Sequence, residues 1–204
     1  MKKLSALILI IVLMVSFGAC SMLSKDPMEK VNNFITENGT QKGEEYVLEY
    51  PDAVNRMQES SFTIAAMKNL KGSAKSEFKM IKDADGISVE LVDSSITDNG
   101  LKMERSVVIN ADGTFEYYNG LTMNGTELGV RLEGEIPVEA YDKEKAPVIT
   151  KSKFATGAKM SDEVKSTLKD YIDLTLDCYA EALAQDGLGV TLADMGYAAY
   201  EVAE

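Results

Sequence analysis

Behind Asp26-Pro27 the apolar residues Met28, Val31, Phe34 and Ile35 recur at intervals of three and four, which predicts a short amphipathic helix. Asp26 suits its N-cap, Pro27 the first helical position and Glu29 the third place after the cap, while Asn38-Gly39 offers a left-handed stop. From Tyr46 to Phe154 the apolar period falls to two. Tyr46 to Tyr50, then Phe62, Ile64 and Ala66, then Ile87, Val89 and Leu91, then Arg105 to Ile109, then Phe115 and Tyr117 all read as strands. Asp85-Gly86, Asn99-Gly100, Asp112-Gly113, Asn119-Gly120 and Asn124-Gly125 punctuate them, and each dipeptide accepts the positive φ of a hairpin turn. Such short connections leave no room for crossover helices, so the sheet is an antiparallel meander.

One stretch reads two ways. Within residues 67–82 both the apolar set Met67, Leu70, Ala74, Phe78, Ile81 and the basic set Lys68, Lys71, Lys75, Lys79, Lys82 have helical spacing. Gly72-Ser73 interrupts the run, however, and its end leads straight through Asp85-Gly86 into a strand, so a hairpin is preferred over a helix. Further on, Ser161 caps a long helical stripe of Val164, Leu168, Tyr171, Ile172, Thr175, Tyr179, Ala182 and Leu183 that stops at Gly187. Thr191 with Asp194 three places on suggests a shorter terminal helix carrying Leu192, Met195 and Tyr200. The fold class is α+β: an antiparallel meander of about six strands, a short N-terminal helix, and a long C-terminal helix packed on one face.

The start of the chain has a different character. Met1-Lys2-Lys3 precedes an apolar run from Leu4 to Phe17, the layout of a secretory signal, and the run is shorter than the about 20 residues a membrane span needs. Gly18-Ala19-Cys20 closes it, and Ser16-Phe17-Gly18-Ala19-Cys20 resembles the lipobox of bacterial lipoproteins, where small residues precede a cysteine whose sulfur takes a diacylglyceryl group. The resemblance covers only the first twenty or so residues. It implies a signal peptide over 1–19, a lipidated Cys20 with a short tether over 20–25, and one folded domain over 26–204. It also implies an extracytoplasmic location at the cell membrane or outer membrane. Two acyl chains suffice for stable anchoring, and the five residues Ser21 to Lys25 extend about 18 Å at most, so the domain rides close to the lipid.

Composition then narrows the chemistry. Lys plus Arg number 21 against 33 acids, a net charge of −12, and a phosphate-binding basic face is not expected, which excludes nucleic acid as a default partner. There is no histidine, so the commonest general base and metal ligand are missing along with every Ser-His or Cys-His nucleophile. With Cys20 acylated, Cys178 has no partner for a disulfide, and its neighbours Leu174, Leu176 and Tyr179 mark it as a core thiol. Asp83-Ala84-Asp85-Gly86 and Asn110-Ala111-Asp112-Gly113 look like pieces of calcium loops, but the twelfth position counted from Asp83 is Ser94, where a bidentate acid is needed. Both read as turns. Ser76-Glu77-Phe78-Lys79 and Ser166-Thr167-Leu168-Lys169 match S-x-x-K at about the frequency chance supplies, with no companion motif. No catalytic residue, metal or cofactor is therefore expected.

Lysines crowd residues 68–82 and 143–159 while acids dominate 160–204, the mark of solvated faces or of a lysine-rich side turned to anionic lipid. Tyr117-Tyr118 puts one ring in the core and one outside; the outer ring is read as covering a sheet edge, or as a stacking surface for sugar or peptide. The preferred function is a membrane-anchored, non-catalytic binding or structural module of the cell envelope, with a protein, glycan or lipid ligand left open. A carrier of an apolar ligand lined by Met80, Met103 and Met123 is the alternative, with a cell-envelope hydrolase and a transporter's solute-binding subunit behind it.

Overall fold

A computed structural model describes residues 26–50, 72–136, 147–155 and 157–197, and every structural statement concerns these residues. Asp26, Pro27 and the stripe behind them make helix α1 (Pro27–Asn38): the Asp26 carboxylate accepts from the Met28 and Glu29 amides, and Val31 and Ile35 are fully buried. The stop differs from expectation. Gly39 has φ −78°, which is extended, and glycine is needed there because a Cβ would sit 3.1 Å from the Val47 carbonyl oxygen and closer still to that of Ile35.

Eight strands follow in one antiparallel sheet in strict sequence order: β1 (Thr40–Lys42), β2 (Glu45–Tyr50), β3 (Gly72–Lys82), β4 (Ile87–Thr97), β5 (Lys102–Ile109), β6 (Thr114–Met123), β7 (Thr126–Glu135) and β8 (Val148–Phe154). The meander is as read, with eight strands in place of about six. Short, fully exposed β1 and mostly exposed β8 lack an apolar alternation, and β7 is diluted by Gly129 and Gly134, so the period-two signal is weak in all three. The stretch 72–82 is strand, paired residue by residue with β4, and Gly72-Ser73 opens it instead of forming a turn. Residues 67–71 and the strand read at Phe62, Ile64 and Ala66 lie outside the described residues.

Turns at Asp85-Gly86, Asn99-Gly100 and Asp112-Gly113 fall between strands as read, and Asn124-Gly125 makes a two-residue hairpin with both φ positive, 51° and 77°. Asn119-Gly120 does not. It lies inside β6, where Asn119 pairs with Arg105 and Val130 and Gly120 with Glu104 and Gly129.

Strand alternation gives the sheet two faces. The inner face carries Phe78, Met80, Val89, Leu91, Val107, Ile109, Phe115, Tyr117 and Leu132, each at most 3% exposed, and is covered by α1 and by α2 (Asp162–Gln185). Ser161 caps α2 through the Val164 amide, and Leu168, Tyr171, Ile172, Thr175, Tyr179, Ala182 and Leu183 form its buried stripe. At 24 residues and 1.5 Å rise it runs about 36 Å, and it packs against β3, β4 and β5. Tyr50 of β2 donates to the Asp186 carboxylate just past its end at 2.6 Å. Beyond Gly187, Thr191 and Asp194 cap each other reciprocally, but the chain makes only turns as far as Tyr197; Gly196 at φ +100° interrupts the terminal helix read there, and Tyr200 lies outside the described residues. No helix among the described residues is long and apolar enough to cross a membrane.

Candidate functional site

The inner face changes character along its strands. Four cross-strand neighbours in register, Ser76, Asp93, Arg105 and Asn119, replace the apolar rows with a polar one. Asp93 is 1% exposed and accepts from the Ser76 hydroxyl. Its other oxygen has no hydrogen bond among the described residues, since the nearby Tyr171 hydroxyl donates to the Arg105 carbonyl oxygen at 3.1 Å. The Arg105 guanidinium lies 5.1 Å from the centre of the Tyr171 ring, and Tyr117 meets that ring edge-on at 6.1 Å. Burial holds the Asp93 carboxyl above the usual carboxylate range, against the pull of the Ser76 hydroxyl and the Arg105 charge. Burial likewise pushes the Tyr171 and Tyr117 hydroxyls up, so both stay protonated at neutral pH. Ser76 and Asp93 are buried in this row and Arg105 and Asn119 partly so, and the Tyr171–Arg105 bond ties α2 to the middle of the sheet.

The outer face carries a groove of about 770 Å³, a size typical of small-molecule sites, at the end where the 98–101 and 124–125 turns lie. Two glycines make it. Gly120 and Gly129 stand opposite each other, and a Cβ on Gly129 would meet Asn119 O and Gly120 Cα at 2.8 Å, while one on Gly120 would strike the Tyr118 ring. Tyr118 therefore lies along its strand over both glycines. Arg131, its cross-strand partner, sets a guanidinium 4.2 Å from the ring centre and bonds Glu127 at 2.9 Å. The Arg131 and Tyr118 bonds hold Glu127 below the usual carboxylate range, and partial burial pushes Tyr118 up. Lys75, Lys102 and Glu104 complete the charged lining, and among the described residues Lys102 has no carboxylate partner. Glycine inside a strand weakens the sheet and marks close approach of a ligand or another backbone.

Other sequence candidates fare differently. Asp83, Asp85, Asn110 and Asp112 are brought together, because the β3–β4 and β5–β6 turns adjoin across a cleft of about 490 Å³. Their oxygens are used locally: Asp83 accepts from the Asp85 and Gly86 amides, and Asp112 accepts from the Thr114 amide and hydroxyl, which lowers its pKa. No group of three or more metal-ligating side chains arises among the described residues. The S-x-x-K pairs do not form dyads. Ser76 faces inward to Asp93 while Lys79 pairs outward with Glu90 at 3.0 Å, and Lys169 pairs with Asp173 at 2.7 Å. Met80 is sealed in the core, Met103 borders the groove and Met123 is 48% exposed at a hairpin, so the three methionines share no cavity. The lysines at 75, 79 and 151 are bridged to Glu77, Glu90 and Glu133, a mixed surface instead of a basic one. Tyr118 covers no edge, since β6 is an interior strand. Cys178 is 3% exposed, and burial raises its thiol far above the usual range. Cys20 and the tether lie outside the described residues.

What sequence reasoning missed is the pair Gly120 and Gly129. The signal was present: a glycine on each of two β-rich runs, beside the exposed member of the Tyr117-Tyr118 pair. The class defined by fold and site is an antiparallel α+β domain with a helix-covered inner face and a polar groove on its outer face. Compared with protein-family models, curated proteins and solved structures, the chain matches none of them.

Proposed function

We propose that the chain is a lipid-anchored, extracytoplasmic lipoprotein of the bacterial cell membrane or outer membrane, and that its folded domain is a non-catalytic binding module. The observation that carries this reading is the division of the sheet: α1 and α2 fill one face, and the groove lies on the other. An apolar carrier needs its cavity beneath the helices, where Leu168, Ile172, Leu91 and Val107 are fully buried against one another. A hydrolase needs a nucleophile beside a base or two convergent carboxylates, and the groove offers one acid, Glu104, among lysines and an arginine. Nucleic acid is no partner in this reading, because the outer-face cations alternate with glutamates.

Cys20 is the anchoring residue, on its lipobox-like surroundings. Replacement Cys20→Ala tests it in the native host: the variant leaves the membrane fraction and loses the mobility of the acylated form. A variant that stays in the membrane with unchanged mobility overturns the anchor.

A further inference from the structure

The chain holds four Asn-Gly dipeptides, Asn38-Gly39, Asn99-Gly100, Asn119-Gly120 and Asn124-Gly125, and asparagine before glycine carries a latent reaction. The glycine amide nitrogen attacks the asparagine Cγ, a five-membered imide closes and ammonia leaves. In sequence the four are alike, since each attacking residue lacks a Cβ that would block the approach.

Their surroundings separate them. The Gly39 amide donates to the Ile35 carbonyl oxygen at 2.8 Å, and Asn38 Nδ2 donates to that of Phe34 at 2.9 Å. The Gly100 amide donates to the Thr97 carbonyl oxygen at 2.9 Å, while Asn99 Oδ1 accepts from the Thr97 hydroxyl and, at 3.4 Å, from the Leu101 amide. Gly120 is held in the interior strand β6 between Glu104 and Gly129, with the Tyr118 ring over it. Asn124-Gly125 differs in every respect. The two residues are exposed and form the whole loop between β6 and β7. Among the described residues neither the Gly125 amide nor the Asn124 side chain has a hydrogen-bond partner, and a Cβ on Gly125 would meet nothing within 4 Å. Rotation of this peptide toward the Asn124 side chain therefore breaks no bond of its amide. Asn124 is also the one non-glycine residue at positive φ among the described residues, a conformation that costs an L-residue energy.

We propose that Asn124 is a site of spontaneous modification, converting to aspartate and isoaspartate with water as the only co-reactant. The Gly125 nitrogen loses its proton to solvent and bonds to Asn124 Cγ; the Cγ–Nδ2 bond breaks, and Nδ2 departs as ammonia with its own two protons and one from solvent. Water then adds to one of the two imide carbonyls. Cleavage between nitrogen and Cγ gives aspartate, and cleavage between nitrogen and the main-chain carbonyl carbon gives isoaspartate, with the chain running through Cγ. Either product sets a carboxylate on the β6–β7 hairpin, close in sequence to Thr122 of the groove. Isoaspartate also lengthens a loop whose positive φ angles match the strand twist as a two-residue turn.

The test follows the full chain in mild detergent at mildly alkaline pH over weeks, with peptide mass spectrometry locating each exchange of nitrogen for oxygen, beside the same chain unfolded in urea. In the folded chain Asn124 converts at least about tenfold faster than Asn38, Asn99 or Asn119, because two hydrogen bonds must open at each of the first two and a strand ladder at the third. Its rate rises with pH, as attack by a deprotonated amide requires. In urea the four rates lie within about threefold of one another, since unfolding removes the bonds that separate them. Conversion of any other of the four as fast as Asn124 in the folded chain overturns the proposal. So does an Asn124 that stays intact in the folded chain while it converts in urea, or one order and spread of rates in both conditions.

Discussion

Leu168 opens the buried stripe of α2 and has no exposed surface, packed in a core that includes Leu91, Val107 and Ile172. Truncation to alanine removes three carbons from this site, about 2.4 kcal/mol at about 0.8 kcal/mol per buried carbon. A residual cavity adds to that, because α2 is held over β3, β4 and β5 and tied beyond its end by the Tyr50–Asp186 bond, and so cannot collapse inward freely. Leu168→Ala is therefore expected to cost about 3 to 4 kcal/mol, inside the range of measured leucine truncations. For a chain of this length each kcal/mol moves the melting temperature by about 2 to 4 °C, so a fall of about 6 to 16 °C is expected in thermal unfolding followed by circular dichroism. Lys165→Ala is the control. Its ion pair with Asp162 spans 3.5 Å between exposed side chains, 54% and 103%, and such pairs contribute at most about 1 kcal/mol. If the control lowers the melting temperature as much as Leu168→Ala, the buried face of α2 has been assigned wrongly.

Asp93 gives a pH-dependent outcome. Burial raises its folded pKa above the unfolded value, so the proton it holds contributes stability that is complete below the unfolded pKa and is lost as pH rises through the folded one. Asp93→Asn should remove that loss: relative to the parent, the variant gains stability as pH is raised from the acid side to neutral in urea titrations, and a pH-independent difference refutes the raised pKa. Gly120→Ala should drive the Tyr118 ring off the glycine floor, costing about 1 to 3 kcal/mol and changing the groove, and heteronuclear NMR should place the largest shifts on β6 and β7. With Cys20 acylated or replaced, Cys178 should react with an aromatic disulfide reagent only at the rate of unfolding, because it is 3% exposed and burial disfavours its thiolate; prompt reaction in the native chain contradicts its burial.

Where local chemistry decided the structure, the sequence was readable. Asp26 and Ser161 cap helices because a carboxylate or hydroxyl placed before an apolar stripe satisfies free amides, and Asn124-Gly125 turns because both residues tolerate positive φ. The buried stripe Leu168, Ile172, Tyr179 followed from spacing alone. Tertiary context decided the rest. Asn119-Gly120 has the same turn chemistry as Asn124-Gly125, yet its strand continues because Gly120 is held between Glu104 and Gly129 and shelters Tyr118, pairings remote in sequence. Lys75 and Lys79 had helical spacing within 67–82, but β4 offers a partner at every position from Gly72 to Lys82, and that ladder overrides a pattern broken by glycine. The groove was legible only in fragments, because its residues come from five strands and converge through register. Ser76, Asp93 and Arg105 look unrelated in sequence for the same reason.

The central claim is that the helix-covered face is filled and that recognition belongs to the outer face. Native mass spectrometry of the chain purified from its own host, released from detergent in the spectrometer, tests it most directly. The expected result is one species whose mass equals the polypeptide from Cys20 onward plus its covalent acyl groups, with no apolar molecule retained. A stoichiometric, non-covalently bound lipid that survives release and dissociates only on activation contradicts the account, since the chain would then hold a cavity where the structure places a filled core.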